Sequence, residues 1–157
     1  MPVWGDGYFE RQVDAKCGQH ALNNVVGAPQ FREEFFEEAV RLILLERNYE
    51  REDQHRNEHG WYSHSVLAQA LELTNPVIWR LLYAELLPSE YRRLLETPDW
   101  IGAIVNEGNR HWVAIVKRAD RLWRLDSGNP PPVLLDEASF HTYLQQAHRT
   151  GFVVALN

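Results

Sequence analysis

One cysteine in 157 residues, Cys17, excludes an intramolecular disulfide and any zinc site built from several thiolates. No apolar run approaches the length that crosses a bilayer. The start, MPVWGDGYFERQ, lacks the cationic-then-apolar order of a secretion signal. Basic residues are not concentrated anywhere, and the net charge is -6, which argues against phosphate neutralisation and hence against nucleic acid as a partner. Repeats, low-complexity tracts and obvious linkers are also missing, so residues 1–157 read as one domain with one core. These absences point to a reducing, intracellular and cytoplasmic setting without a membrane. A bacterial effector acting in a host cytosol shows the same features. No cofactor and no metal are expected, and the chain is expected to be a monomer.

The first half of the sequence has helical periodicity. A helix is expected from Gly18 to Val26, with Ala21, Leu22, Val25 and Val26 apolar and Gly27 and Pro29 as the stop. A second, Glu33 to Arg47, aligns Phe36, Val40, Ile43 and Leu44. The polar stretch NYEREDQHRNEHG reads as a solvated helical arm or a loop. HSVLAQALEL is again helical, PVIWRLL is a strand, and SEYRRLLE is a short helix that Ser89 is expected to cap. From Trp100 the pattern turns to strands: WIGAIVN, HWVAIVKR and RLWRLDS, separated by turn signals. HWVAIV is apolar on both alternations and should be a central strand covered on both faces. DEASFHTYLQQAH, with Asp136 as its cap, is a last helix, and FVVALN a closing strand. Helices followed by an antiparallel sheet make the fold α+β.

Cys17 lies at the start of the first helix, immediately before Gly18. A thiolate is the nucleophile, and a helix start stabilises it through unpaired N–H groups and the positive end of the dipole. Gln12 lies five residues upstream, where a side-chain amide suits the oxyanion of an acyl-transfer intermediate. His111 opens the central strand, placed to take the thiol proton and return it to a leaving amine. Asp126 follows fifteen residues later at the end of the next strand, so a tight hairpin brings it beside His111 as orienter of the ring. Each residue alone also has a plain structural reading: a buried small residue, a solvated amide, a satisfied edge histidine, a turn-capping aspartate. His55, His59 and His64 with Glu58 are read as a polar arm rather than metal ligands, because Gly60 interrupts their shared face. Glu33, Glu34, Glu37 and Glu38 are read as a solvated helix face.

QVDAKCGQHALNN, GWYSHSVLAQAL, NRHWVAIVKRADRLWRLDS and FHTYLQQAHRTGFVVAL together resemble the Josephin family of papain-like cysteine proteases, which are deubiquitinating enzymes. The resemblance covers nearly the whole chain. It implies Cys17 as nucleophile, His111 as base, Asp126 as orienter and Gln12 in the oxyanion hole. The implied partner is the C-terminal tail of ubiquitin or a ubiquitin-like protein, cleaved through a thioester. His20 matches a family position but lies one helical turn from Cys17, which favours packing or hydrogen bonding; Asn23 and Asn24 are expected to tie the helix to neighbouring backbone. The arm between Phe31 and Gly60 is shorter than in the family's best-known members, and His64 and Thr74 stand where some members have apolar contacts. The alternatives are a C39-like or other papain-like peptidase cleaving after a double glycine, and a catalytically inactive ubiquitin-binding module.

Overall fold

A computed structural model describes residues 4–5, 7–11, 16–56, 61–74, 79–107, 111–128, 131–146 and 150–156. The helices follow the apolar spacing. α1 (Cys17–Val26) buries Ala21, Leu22 and Val25, and its chain turns away at Gly27, whose φ of 76° is the left-handed conformation that glycine supplies without strain. α2 (Glu33–Glu46) buries Phe36, Ala39, Val40 and Ile43. α3 (His64–Thr74) buries Val66, Leu67, Ala70 and Leu71, and packs along α2. Each fully buried leucine, valine or phenylalanine in this layer stabilises the fold by about 1.5–3 kcal/mol relative to an exposed one.

The helices cover one face of a six-stranded antiparallel sheet in the order β1-β6-β2-β3-β4-β5. The strands are β1 (Trp79–Glu85), β2 (Trp100–Glu107), β3 (His111–Arg118), β4 (Arg121–Leu125), β5 (Val133–Leu135) and β6 (Thr150–Leu156). β3 lies between β2 and β4 and is buried from Trp112 to Val116, as its unbroken apolar run requires. Its even positions, Trp112, Ala114 and Val116, join the core under α1, α2 and α3. Its odd positions, Val113 and Ile115, join a second core on the other face, with α4 (Tyr91–Glu96) and α5 (Glu137–Gln146). The β3–β4 turn is made by Ala119 and Asp120, at φ 52° and 59°, the pair of left-handed residues that a tight hairpin needs. Gly102 lets α1 approach the sheet: a Cβ there would lie 2.7 Å from the Ile115 carbonyl oxygen and 3.2 Å from Val25 Cγ1.

Several expectations change. Ser89 does not cap a helix; Pro88–Glu90 form a separate 3-10 turn, whose Leu87 N–H donates to Glu90 Oε2 at 3.1 Å. β5, within PPPVLLD, carries too short an apolar run to stand out among prolines. The polar arm is not uniformly solvated, since His55 is only 4% exposed. Asp136 does act as expected, accepting the Ser139 N–H at 2.8 Å.

Candidate active site

Cys17 is the first residue of α1, and Lys16 at the cap position makes no side-chain capping bond. The first-turn N–H groups and the positive end of the helix dipole therefore act beside the sulfur. The thiol is 3% exposed and accepts a bond from the Trp112 backbone N–H, with Sγ and N 3.3 Å apart. Close approach here depends on Gly18, where a Cβ would come within 2.8 Å of Leu67 Cδ2 and 3.3 Å of Trp112 Cδ1. The indole of Trp112 is itself buried and donates to the Tyr62 carbonyl at 3.0 Å, which joins the start of α3 to the central strand.

His111 is the residue before Trp112, so the same strand start brings its ring to the thiol. Its Nε2 lies 2.6 Å from Asp126 Oδ1. The hydrogen bond with Cys17, and then the bond and charge of Asp126, outweigh burial and push the imidazole up to about 9. Both partners thus favour the protonated form of the ring. Asp126 follows β4 directly and is 7% exposed. Burial would raise its pKa, but bonds from His111 and the Gly128 N–H, with the charges of His111 and Arg124, hold it below the usual carboxylate range. Its Oδ1 also accepts from Gly128 N at 2.9 Å, and its Oδ2 from Arg124 Nη2 at 3.2 Å.

Gln12 lies outside the described residues. The segment leading to it is held at Glu10, and the anchor is α1 itself. Glu10 Oε1 is 2.6 Å from His20 Nδ1 and accepts from Asn23 Nδ2 at 2.8 Å; the Glu10 N–H donates to Asn24 Oδ1 at 2.7 Å. Asn23 also exchanges bonds with the Phe31 backbone at 2.7 and 3.0 Å, closing the loop into α2. His20, Asn23 and Asn24 thus serve hydrogen bonding around the helix.

A cleft of about 440 Å³ has Glu50, His55, Trp61, Ser63, Asn106 and Trp112 among its walls, the last being the residue that follows His111. His55 bridges the arm to α3, its Nδ1 2.8 Å from Ser63 Oγ and its Nε2 2.6 Å from Glu50 Oε2. His64, exposed at the rim of the same cleft, has its pKa lowered by partial desolvation and by the charges of Arg47 and His55. His59 and Glu58 lie outside the described residues. Among the described residues no group of three His, Cys, Asp or Glu is placed to hold a metal ion, and no helix is long and apolar enough to cross a membrane. Glu10, Glu107 and Arg124 carry no sequence signal, because each is a polar residue whose partner is distant along the chain; Tyr143 is legible as an inward residue of the last helix, and it does pack against the second core, but its bond to Glu107 is not.

A helix-borne cysteine facing a strand-borne histidine, with three helices packed on an antiparallel sheet, defines the papain-like, cysteine-protease class of fold. The comparisons narrow it. The Josephin family pattern matches residues 12–156, and the chain belongs to that family. Curated relatives include the ataxin-3 homologue of Caenorhabditis elegans, 23% identical over 155 residues, covering 94% of this chain and 47% of the relative. Human ataxin-3 is 22% identical over 163 residues, covering 94% and 44%, and the Caenorhabditis briggsae homologue 26% over 150 residues, covering 88% and 44%. The chain thus spans less than half the length of these relatives. Among solved structures, a double glycine motif protease from an AMS/PCAT transporter, in complex with the leader peptide, superposes with a TM-score of 0.50 at 10% identity over 99% of this chain and 98% of that one.

Proposed function

We propose that the chain is a thiol hydrolase that cleaves after a double-glycine tail, with the tail of ubiquitin or a ubiquitin-like protein as substrate. The observation that carries the chemistry is the contact set Cys17–His111–Asp126, with Asp126 2.6 Å from the imidazole Nε2 and the same ring hydrogen-bonded to the thiol. Cys17 Sγ attacks the terminal glycine carbonyl, forming a C–S bond. The C–N bond then breaks, and the leaving amine takes its proton from His111. Water, losing a proton to His111, hydrolyses the thioester and frees the sulfur. Asp126 keeps the ring oriented and stabilises the imidazolium. Gln12 and the Cys17 N–H hold the oxyanion.

Family membership supports the ubiquitin reading. The fold likeness to a double glycine motif protease supports a second reading at least as well, in which the substrate is a peptide leader ending in two glycines. Two probes separate them: ubiquitin with a C-terminal electrophile, and a double-glycine leader-type peptide with the same electrophile. Addition of one ubiquitin mass to the protein is the expected result. Capture of the peptide alone moves the assignment to the leader peptidase, and capture of neither rejects the double-glycine substrate class.

Gln12 has its own test. Gln12→Ala should lower hydrolysis of a tail amide by roughly 10²–10³-fold, the usual loss for one oxyanion donor. Alkylation of Cys17 by iodoacetamide should stay at the wild-type rate, because that reaction develops no oxyanion. Near wild-type hydrolysis by the folded variant removes Gln12 from the mechanism.

A further inference from the structure

Alternation along the strands sends Glu107 of β2, His111 of β3, and Arg124 of β4 with the following Asp126 to one face of the sheet, where α5 brings Tyr143. Glu107 is the register partner of His111. Arg124 binds Glu107 through two parallel bonds, Nε to Oε2 at 3.0 Å and Nη2 to Oε1 at 2.8 Å, and the same Nη2 reaches Asp126 Oδ2 at 3.2 Å. The Tyr143 hydroxyl donates to Glu107, and the Arg124 guanidinium lies 5.6 Å from the Tyr143 ring centroid. Arg124 is mostly buried, so its fork has little freedom to swing away. Resting on the reading of Cys17, His111 and Asp126 above, we infer that Arg124, clamped by Glu107 and Tyr143, is a positioning residue that aims Asp126 at His111 and makes a carboxylate obligatory at position 126.

The reason is the donor count around Asp126. Oδ1 receives His111 and the Gly128 N–H, and Oδ2 receives Arg124, so both oxygens face donors alone. An asparagine can keep one oxygen on His111 only by turning its NH₂ onto the guanidinium, donor against donor. The charged groups around the imidazole are Cys17 from α1, Glu107 from β2, and Arg124 and Asp126 from β4 and its end. Of these, Cys17 and Asp126 are the groups whose bonds and charges raise the proton affinity of His111.

The test is a double-mutant cycle read by the pH profile of Cys17 alkylation with iodoacetamide, which needs no tail substrate, and by kcat where turnover is found. Asp126→Asn and Arg124→Gln should each lower kcat by about 10–10²-fold, as displacements near 1 Å at a reacting group do, with KM little changed. The double variant should be faster than Asp126→Asn alone, because glutamine at position 124 offers an oxygen to the asparagine NH₂. Arg124→Lys, a charge without the fork, should recover part of the Arg124→Gln loss. Additive losses in the double variant, or Arg124→Gln with unchanged alkylation profile and an intact thermal melt, overturn the inference. Glu107→Gln added to Arg124→Gln keeps the test valid if the single variant unfolds through its unpaired carboxylate. Failure of the double-glycine probes with the alkylation cycle intact would reject the substrate reading and leave this one standing.

Discussion

Cys17→Ala is expected to abolish covalent capture of the ubiquitin probe and to lower tail hydrolysis by about 10⁶-fold, the scale on which loss of a nucleophile is measured in acyl-transfer enzymes. The cost to the fold should be small, because the residue is a small member of the buried core and alanine leaves only a sulfur-sized gap. The Trp112 N–H that donates to Sγ loses its acceptor, so a modest fall in melting temperature should accompany the loss. Intact-mass measurement gives the answer directly. Wild-type chain gains one ubiquitin mass and the variant gains none; equal gain by both would place the reactive group elsewhere and end the proposed mechanism.

Asp126→Ala should produce the second-largest effect, a fall in kcat of about 10⁴-fold with a much smaller change in KM. The pH dependence carries the sign. His111 holds its proton to about 9, through its bond to Cys17 first and Asp126 second, and that proton is delivered to the leaving amine. Activity should therefore decline as pH rises through about 9 in the wild type. Removing Asp126 withdraws one stabiliser of the imidazolium, so the decline should begin at lower pH while the Cys17 contribution remains. A rate–pH profile of both proteins checks this. Unchanged turnover in the alanine variant would reduce Asp126 to an acceptor for the Gly128 N–H in the turn after β4.

Much of the fold was legible because local patterns agree with it. Apolar spacing located α1, α2 and α3, and the β-branched runs at Trp100 and His111 located β2 and β3. The expected placement of Asp126 beside His111 came from a tight hairpin, and the two left-handed residues Ala119 and Asp120 make that hairpin. Sequence could not show that β6 pairs with both β1 and β2, since pairing partners far apart leave no periodic trace. His55 was hidden for a different reason: its burial depends on Glu50 and Ser63 meeting its two nitrogens, so a polar segment folds inward without apolar residues. Arg124 was missed in the same way. Within RLWRLD it looks like an exposed strand residue, and only the fold brings Glu107 and Tyr143 to it.

The position of β6 has a consequence during synthesis. It is the last of the described elements, yet it lies inside the sheet, between a strand that begins at Trp79 and one that begins at Trp100. While the ribosome still holds Thr150–Leu156, Cys17, His111 and Asp126 have all emerged, but β1 has no partner and the outer backbone of β2 is bare. Such an edge is sticky towards other nascent chains. Late arrival of one strand both finishes the sheet and removes that edge, so the sheet is at its most aggregation-prone just before β6 joins it.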